Sequence, residues 1–244
     1  MDGVDIDWEF PGFYREPDTA ANPYDQGTPK ADPSEKESFT LLLKVLRRAL
    51  DRAGDEDKRY YQLSVAVSPV REKIDLTDPA GYAPAVDFIN VMTYDMHGPW
   101  NQMTYHHSAL YPNPCADDQQ NTDQAIRYFI SLGVKPSKLN IGTPFYSRGW
   151  RGIHEDFSNT FVGSWERLKC WALSKNEWGS TPGLYENAQG SARGIWDAGS
   201  TPDGTHPYFH LLELEGNDSY AKYFDHSAAA TYLYSKERGE LFRR

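Results

Sequence analysis

Apolar and polar positions alternate with a period of two over the first nine residues, where Val4, Ile6 and Trp8 interleave with Asp5, Asp7 and Glu9. That period predicts a β-strand with its acids on one face and its apolar residues on the other, the latter buried under a helix. Residues 10–31 show no period and are rich in Pro, Gly, Asp and Asn, which predicts a long irregular loop. Asp32-Pro33-Ser34-Glu35 reads as a helix start, with an N-cap acid, a proline at the first helical position and a Glu three residues on. Phe39, Leu42, Leu43, Leu46, Leu50 and Ala53 then recur at helical spacing, with Gly54 as the predicted stop. Lys44, Arg47, Arg48 and Arg52 fall on the wet side of that helix. A second strand is predicted over 61–69, a cramped helix over 78–85, and a nearly continuous apolar strand over 86–94. A further helix over 121–132 carries Ala125, Ile126, Phe129 and Ile130 on one stripe with Gly133 as its cap, and a fourth strand covers 139–145.

Strand and helix alternate here without a hairpin signal, which predicts a parallel sheet with right-handed crossovers. The third strand, nearly continuous in apolar residues, is of the type that parallel sheets bury. Beyond residue 148 the strong helical stripes end, Gly and Pro punctuate, and five of the seven tryptophans appear, at 150, 165, 171, 178 and 196.

The length of 244 residues allows one barrel-sized domain, or a smaller domain with an appendage. A net charge of −10 argues against nucleic acid or an anionic membrane as partner. No apolar run approaches the roughly 20 residues of a membrane span. The chain opens straight into an acidic strand, where a leader would need a basic stretch and an apolar core. Two cysteines, Cys115 and Cys170, allow one disulfide or none. Aromatics make up 14% of the chain, which suits sugar stacking as well as core filling.

The candidate chemistry lies in the first strand. Side chains two apart on one strand face are about 6.7 Å from each other. Unit charges at that distance repel by roughly 2.5 kcal/mol at an effective dielectric near 20. Three such carboxylates are therefore expected to hold or share at least one proton near neutrality, as a general acid requires. A merely solvated strand face would mix Lys, Thr and Ser with its acids. A calcium loop would need a turn Gly and a later Glu, and here β-formers separate the acids. Polar residues also gather at the ends of the other predicted strands, with Tyr94 and Asp95 at the third and Tyr146 and Arg148 at the fourth. The carboxyl ends of barrel strands are where such enzymes keep their functional groups. His97, His106 and His107 lack ligand spacing and read as loop hydrogen bonders, so neither a metal nor a cofactor is expected.

Asp2-Gly3-Val4-Asp5-Ile6-Asp7-Trp8-Glu9 resembles the active-site signature of the family 18 glycoside hydrolases, the chitinases, which ends the fourth strand of a (β/α)8 barrel. The resemblance implies that Glu9 is the acid/base, that Asp7 orients the substrate's acetamido group, and that Asp5 holds Asp7 by sharing a proton. Met92-Thr93-Tyr94-Asp95 is similar to the family's Met-x-Tyr-Asp on the sixth strand. It implies a catalytic donor in Tyr94 and substrate contacts from Met92 and Asp95. Gly142-Thr143-Pro144-Phe145-Tyr146-Ser147-Arg148 resembles the seventh-strand Gly-x-x-x-Tyr-Gly-Arg, with Ser147 in place of the second glycine, and marks Tyr146 and Arg148 as substrate-binding. Trp100 stands where chitinases carry an aromatic platform. Gly194-Ile195-Trp196-Asp197 resembles the Gly-x-Trp-Glu of the family's insertion module, with Trp196 as a sugar contact and Asp197 replacing the Glu.

The implied fold is α/β: a partial (β/α)8 TIM barrel supplying strands four to seven over residues 1–148, and a small α+β insertion domain over 149–244 closed by a hairpin over 230–239. Barrel strands one to three would precede Met1 and the eighth would follow Arg244, so the 244 residues alone are expected to show little or no chitinase activity. The implied partner is chitin or chitooligosaccharide, met by a secreted enzyme that is monomeric when complete. Two rivals remain: a non-catalytic, lectin-like chitin binder, and a hydrolase acting on N-glycan cores (an endo-β-N-acetylglucosaminidase) or on peptidoglycan.

Overall fold

The computed structural model describes residues 2–19, 22–28, 32–113, 120–153, 181–197 and 201–243. Cys115 and Cys170, with Trp165, Trp171 and Trp178, lie outside the described residues. The chain divides into two compact units, Met1–Thr93 with Thr122–Gly142, and Tyr94–Asn121 with Thr143–Arg244.

The first unit is built on four parallel strands, β1 (Gly3–Asp7), β2 (Gln62–Val67), β3 (Phe88–Val91) and β4 (Leu139–Ile141), hydrogen-bonded in chain order. The helices between them are α1 (Glu35–Asp57), the short α2 (Arg71–Asp75) and α3 (Pro79–Tyr82), and α4 (Thr122–Ser131). Leu63, Val65, Val67, Ile89 and Val91 are buried with Phe39 and Leu43 of α1, Tyr82 of α3 and Phe129 of α4. Val4, Ile6 and Trp8 pack against that core, while Asp5, Asp7 and Glu9 are exposed. The period of two thus separates core from solvent along β1 as expected.

Several predicted boundaries shift. α1 has no side-chain cap: Ser34 is the N-cap residue, Asp32 accepts from the Ser34 amide at 2.9 Å, and Glu35 accepts from the Gly12 amide at 2.6 Å. Gly54 does not stop this helix. The helix runs on to Asp57 and closes on Lys58 in the left-handed region, φ 57°. Arg59 then donates its amide to the Gly54 carbonyl at 3.0 Å, and a Cβ on Gly54 would lie 2.4 Å from the Arg59 carbonyl oxygen. The glycine is there for the returning chain. β3 is four residues long rather than nine, flanked by Asp87, whose carboxylate accepts from the Leu63 amide at 2.8 Å, and by Thr93, whose hydroxyl donates to the Gly142 carbonyl at 2.7 Å. β4 is likewise short, since Pro144 has no amide to extend the ladder.

The second unit carries a five-stranded antiparallel sheet ordered β6-β5-β9-β8-β7, with β5 (Arg148–Arg151), β6 (Gly190–Ser191), β7 (Ala221–Asp225), β8 (Ala230–Ser235) and β9 (Glu240–Arg243). The β8–β9 hairpin matches the predicted one, with Tyr234 opposite Leu241. Trp150, Tyr232, Tyr234 and Leu241 are buried in one cluster. Leu211, Leu233, Tyr220 and Phe242 fill another. Leu211 belongs to α5 (Tyr208–Glu215), a helix absent from the sequence prediction. Tyr208, Phe209, Leu211, Leu212 and Leu214 surround its axis, so no stripe marks it as helical.

Candidate functional site

β1 presents Asp5 and Asp7 on the sheet face opposite the helices, and Glu9 follows two residues beyond the strand. Asp5 is anchored across the sheet. The Ser64 hydroxyl, directly across the β1–β2 ladder, donates to Asp5 Oδ1, and Asn90 Nδ2 of β3 reaches the same oxygen at 3.4 Å. Asn140 of β4 in turn donates to Asn90 Oδ1 at 2.9 Å. Met92 is half-buried just past β3, its amide on the Val67 carbonyl at 2.9 Å.

The segment after Glu9 is pinned from α2. Lys73 Nζ lies 4.3 Å from the Phe10 ring centroid and 4.6 Å from that of Phe13, a double cation–π contact. Burial pushes the Lys73 ammonium below its ordinary pKa, partly offset by the negative charge of Glu9. Phe13 donates its amide to the Phe10 carbonyl at 3.1 Å, closing a turn between the two rings.

In the second unit a tighter cluster forms around Asp95, which has φ 53°. Arg148 grips it with two parallel bonds, Nε to Oδ1 at 2.7 Å and Nη2 to Oδ2 at 2.9 Å, and Tyr146 donates its hydroxyl to Oδ2 at 2.6 Å. Arg148 Nη1 also donates to Asp203 and, at 3.0 Å, to the Thr205 hydroxyl. Among the described residues, four of the five guanidinium N–H groups are therefore engaged. Burial pushes the Asp95 carboxyl up, but the bonds and charge of Arg148 outweigh it and hold the group well below the usual carboxylate range. Burial and the Asp95 charge together push the Tyr146 phenol far up, so it remains a donor at any working pH. His107 is fully buried with Nδ1 3.6 Å from Asp95 Oδ1, and burial lowers its pKa. The 3.6 Å separation is too long for a hydrogen bond, so His107 departs from the loop hydrogen-bonding role expected of it.

The predicted aromatic contacts surround this cluster in part. Tyr94 is half-buried with its ring edge-on to Tyr146 at 6.2 Å. Trp100 is 58% exposed, with the Arg148 guanidinium 5.6 Å from its ring centroid. Trp196 is equally exposed and sits edge-on to Phe209. Asp197, by contrast, accepts from the Gly194 amide at 2.7 Å and the Thr205 amide at 2.9 Å, and so holds its own turn together. His97 and His106 do act as hydrogen bonders. His97 Nδ1 lies 2.8 Å from the His106 carbonyl, and His106 Nε2 3.1 Å from Asp225.

The sequence alone did not single out Ser64, Asn90 and Asn140, nor Lys73, nor Asp203 and Thr205. For Ser64 and Asn90 a signal existed: each is a polar residue between two apolar neighbours of its strand. Asp203 and Thr205 lie more than fifty residues from Arg148 in an aperiodic stretch and gave none.

The family described as glycosyl hydrolases family 18 matches residues 1–243. The chain belongs to that family. Chitinase A1 of Niallia circulans is 30% identical to this family 18 chain, over 96% of the chain and 29% of the relative. A probable endochitinase of Orgyia pseudotsugata multicapsid polyhedrosis virus is 30% identical over 99% of the chain and 37% of the relative. The chain thus spans about a third of the length of these curated relatives. Among solved structures, chitinase ChiA74 from Bacillus thuringiensis matches all of the chain with a TM-score of 0.78 at 29% identity, over 35% of its own length. The family 18 fold is a TIM barrel, and the four parallel strands of the first unit follow its strand–helix–strand order.

Proposed function

We propose that the protein is a chitinase that hydrolyses β-1,4-linked N-acetylglucosamine polymers with retention, through substrate assistance. β1 to β4 stand for barrel strands four to seven, and residues 149–244 for the insertion domain. Glu9 is the acid/base. It protonates the glycosidic oxygen as that bond breaks, while the substrate's own acetamido oxygen attacks the anomeric carbon. Glu9 then takes a proton from the water that opens the cyclic intermediate, which restores both the acetamido group and the carboxylic acid. Asp7 orients the acetamido group, Asp5 holds Asp7, and Tyr94 donates to the acetamido carbonyl. Asp95, Met92, Tyr146 and Arg148 contact neighbouring sugars, with Trp100 and Trp196 as exposed stacking surfaces. Its polymeric substrate places the enzyme outside the cell.

The observation that carries this reading is the row Asp5, Asp7 and Glu9, all exposed, with Val4, Ile6 and Trp8 of the same segment packed into the core of a family 18 chain. The test is the product formed from chitin hexamer, followed by NMR as it appears. The β-anomer released first supports retention, and the α-anomer first contradicts it. Binding without cleavage would indicate a lectin-like relative, and preferential cleavage of a high-mannose glycopeptide would indicate an N-glycan hydrolase.

A further inference from the structure

Asp5, Ser64, Asn90 and Asn140 come from four different strands and form one hydrogen-bonded row across the face of the parallel sheet opposite the helices. Ser64 lies directly across from Asp5, and Asn140 directly across from Asn90, so the ladder register sets the row. The acid also fixes its direction. A carboxylate has no N–H to offer, so Asn90 must turn its Nδ2 toward Asp5 and its Oδ1 toward Asn140. Asn140 must then present Nδ2, as it does at 2.9 Å. The Ser64 hydroxyl and the Asn90 amide both donate to Oδ1 of Asp5, leaving Oδ2 outside the row.

The geometry points to Ser64 and Asn90 as positioning residues of the hydrolase: they fix the rotamer of Asp5, and through Asp5 they aim the neighbouring acids of the same segment. Neither touches substrate in this account. Asn140 completes the row by orienting Asn90. This inference rests on the reading of Asp5, Asp7 and Glu9 as the catalytic row. A row that only satisfied polar groups would affect stability and substrate binding to similar small degrees. A positioning row affects turnover.

The test compares Ser64→Ala, Ser64→Thr and Glu9→Gln in the full enzyme on chitooligosaccharide, together with a crystal structure of Ser64→Ala. Loss of a hydrogen bond to a charged group that matters in the transition state corresponds to a fall in kcat of about tenfold or more. Ser64→Ala should show that fall with KM changed less than about twofold. Ser64→Thr, which keeps the hydroxyl, should recover kcat to within about threefold, and Asp5 should leave its Asn90-facing rotamer in the alanine variant. An unmoved Asp5, or unchanged kcat in Ser64→Ala, overturns the inference even where Glu9→Gln is inactive. If Glu9→Gln still turns over while Asp5 moves in Ser64→Ala, the acid/base assignment fails and the hold of Ser64 on Asp5 stands.

Discussion

At the scale of single residues, the fork of Arg148 on Asp95 organises the second unit's cluster. Two parallel charge-assisted bonds, a third from Tyr146, and the Asp203 and Thr205 contacts on the far side of the guanidinium hold Asp95 ionised and immobile. A lysine offers one point of charge and cannot span both Asp95 oxygens and Asp203 together. Arg148→Lys is therefore expected to lower kcat/KM on chitooligosaccharide by about tenfold or more, and a variant within twofold of the parent would show that the fork is dispensable. The Tyr-Asp and Tyr-x-Arg residues were legible because they end predicted strands. Their partners were not. Asp203 and Thr205 are fixed by a fold-back of the chain that no local period encodes, and the Asp197 oxygens are held by the backbone amides of Gly194 and Thr205.

At the scale of elements, β1 and α1 illustrate what a sequence carries and what it omits. Alternation in residues 4–9 gave both the strand and its buried face, because one side of β1 packs under a helix and the other does not. The start and stop of α1 depart from the sequence expectation because the capping residues have other partners: Glu35 bonds to Gly12, and Gly54 makes room for Arg59. That second point gives a prediction of definite sign. Alanine at an exposed helix glycine would normally stabilise by about 1 kcal/mol. At Gly54 the added methyl would lie 2.4 Å from a backbone oxygen, so the helix end or the 58–61 turn must move. Gly54→Ala should instead destabilise by roughly 1–3 kcal/mol, read from the midpoint of urea unfolding. A rise in the midpoint would mean that the turn yields freely. α5 shows the opposite limit, since a helix apolar on every side leaves no period to detect.

At the scale of the whole molecule, pH couples to stability through buried imidazoles. Burial and the Arg243 charge push His106 down to about 4 from its ordinary 6.5, although Asp225 opposes this, and burial pushes His206 down to about 4 as well. The folded chain then binds fewer protons than the unfolded chain between those two values, so stability is full above pH 6.5 and falls as pH drops toward 4. His106 alone accounts for a loss on the order of 3 kcal/mol. Tm should decline across that interval and decline less steeply in His106→Gln, whereas parallel slopes would remove His106 from the account. Family membership is also a property of the whole chain, matched from residue 1 to 243, and the parallel order of β1 to β4 was legible from strand–helix alternation alone. The interleaving of the two units was not, because segment 94–121 leaves the parallel sheet's unit and joins the other without a change of composition to mark it.

The central claim is that Glu9 delivers and recovers the proton of hydrolysis, and Glu9→Gln tests it most directly because the amide keeps the shape and removes the acid. Turnover of chitin hexamer by the full enzyme should fall by about a thousandfold, while calorimetric binding of the same hexamer stays within a few-fold of the parent. Hydrolysis at the parental rate would contradict the account.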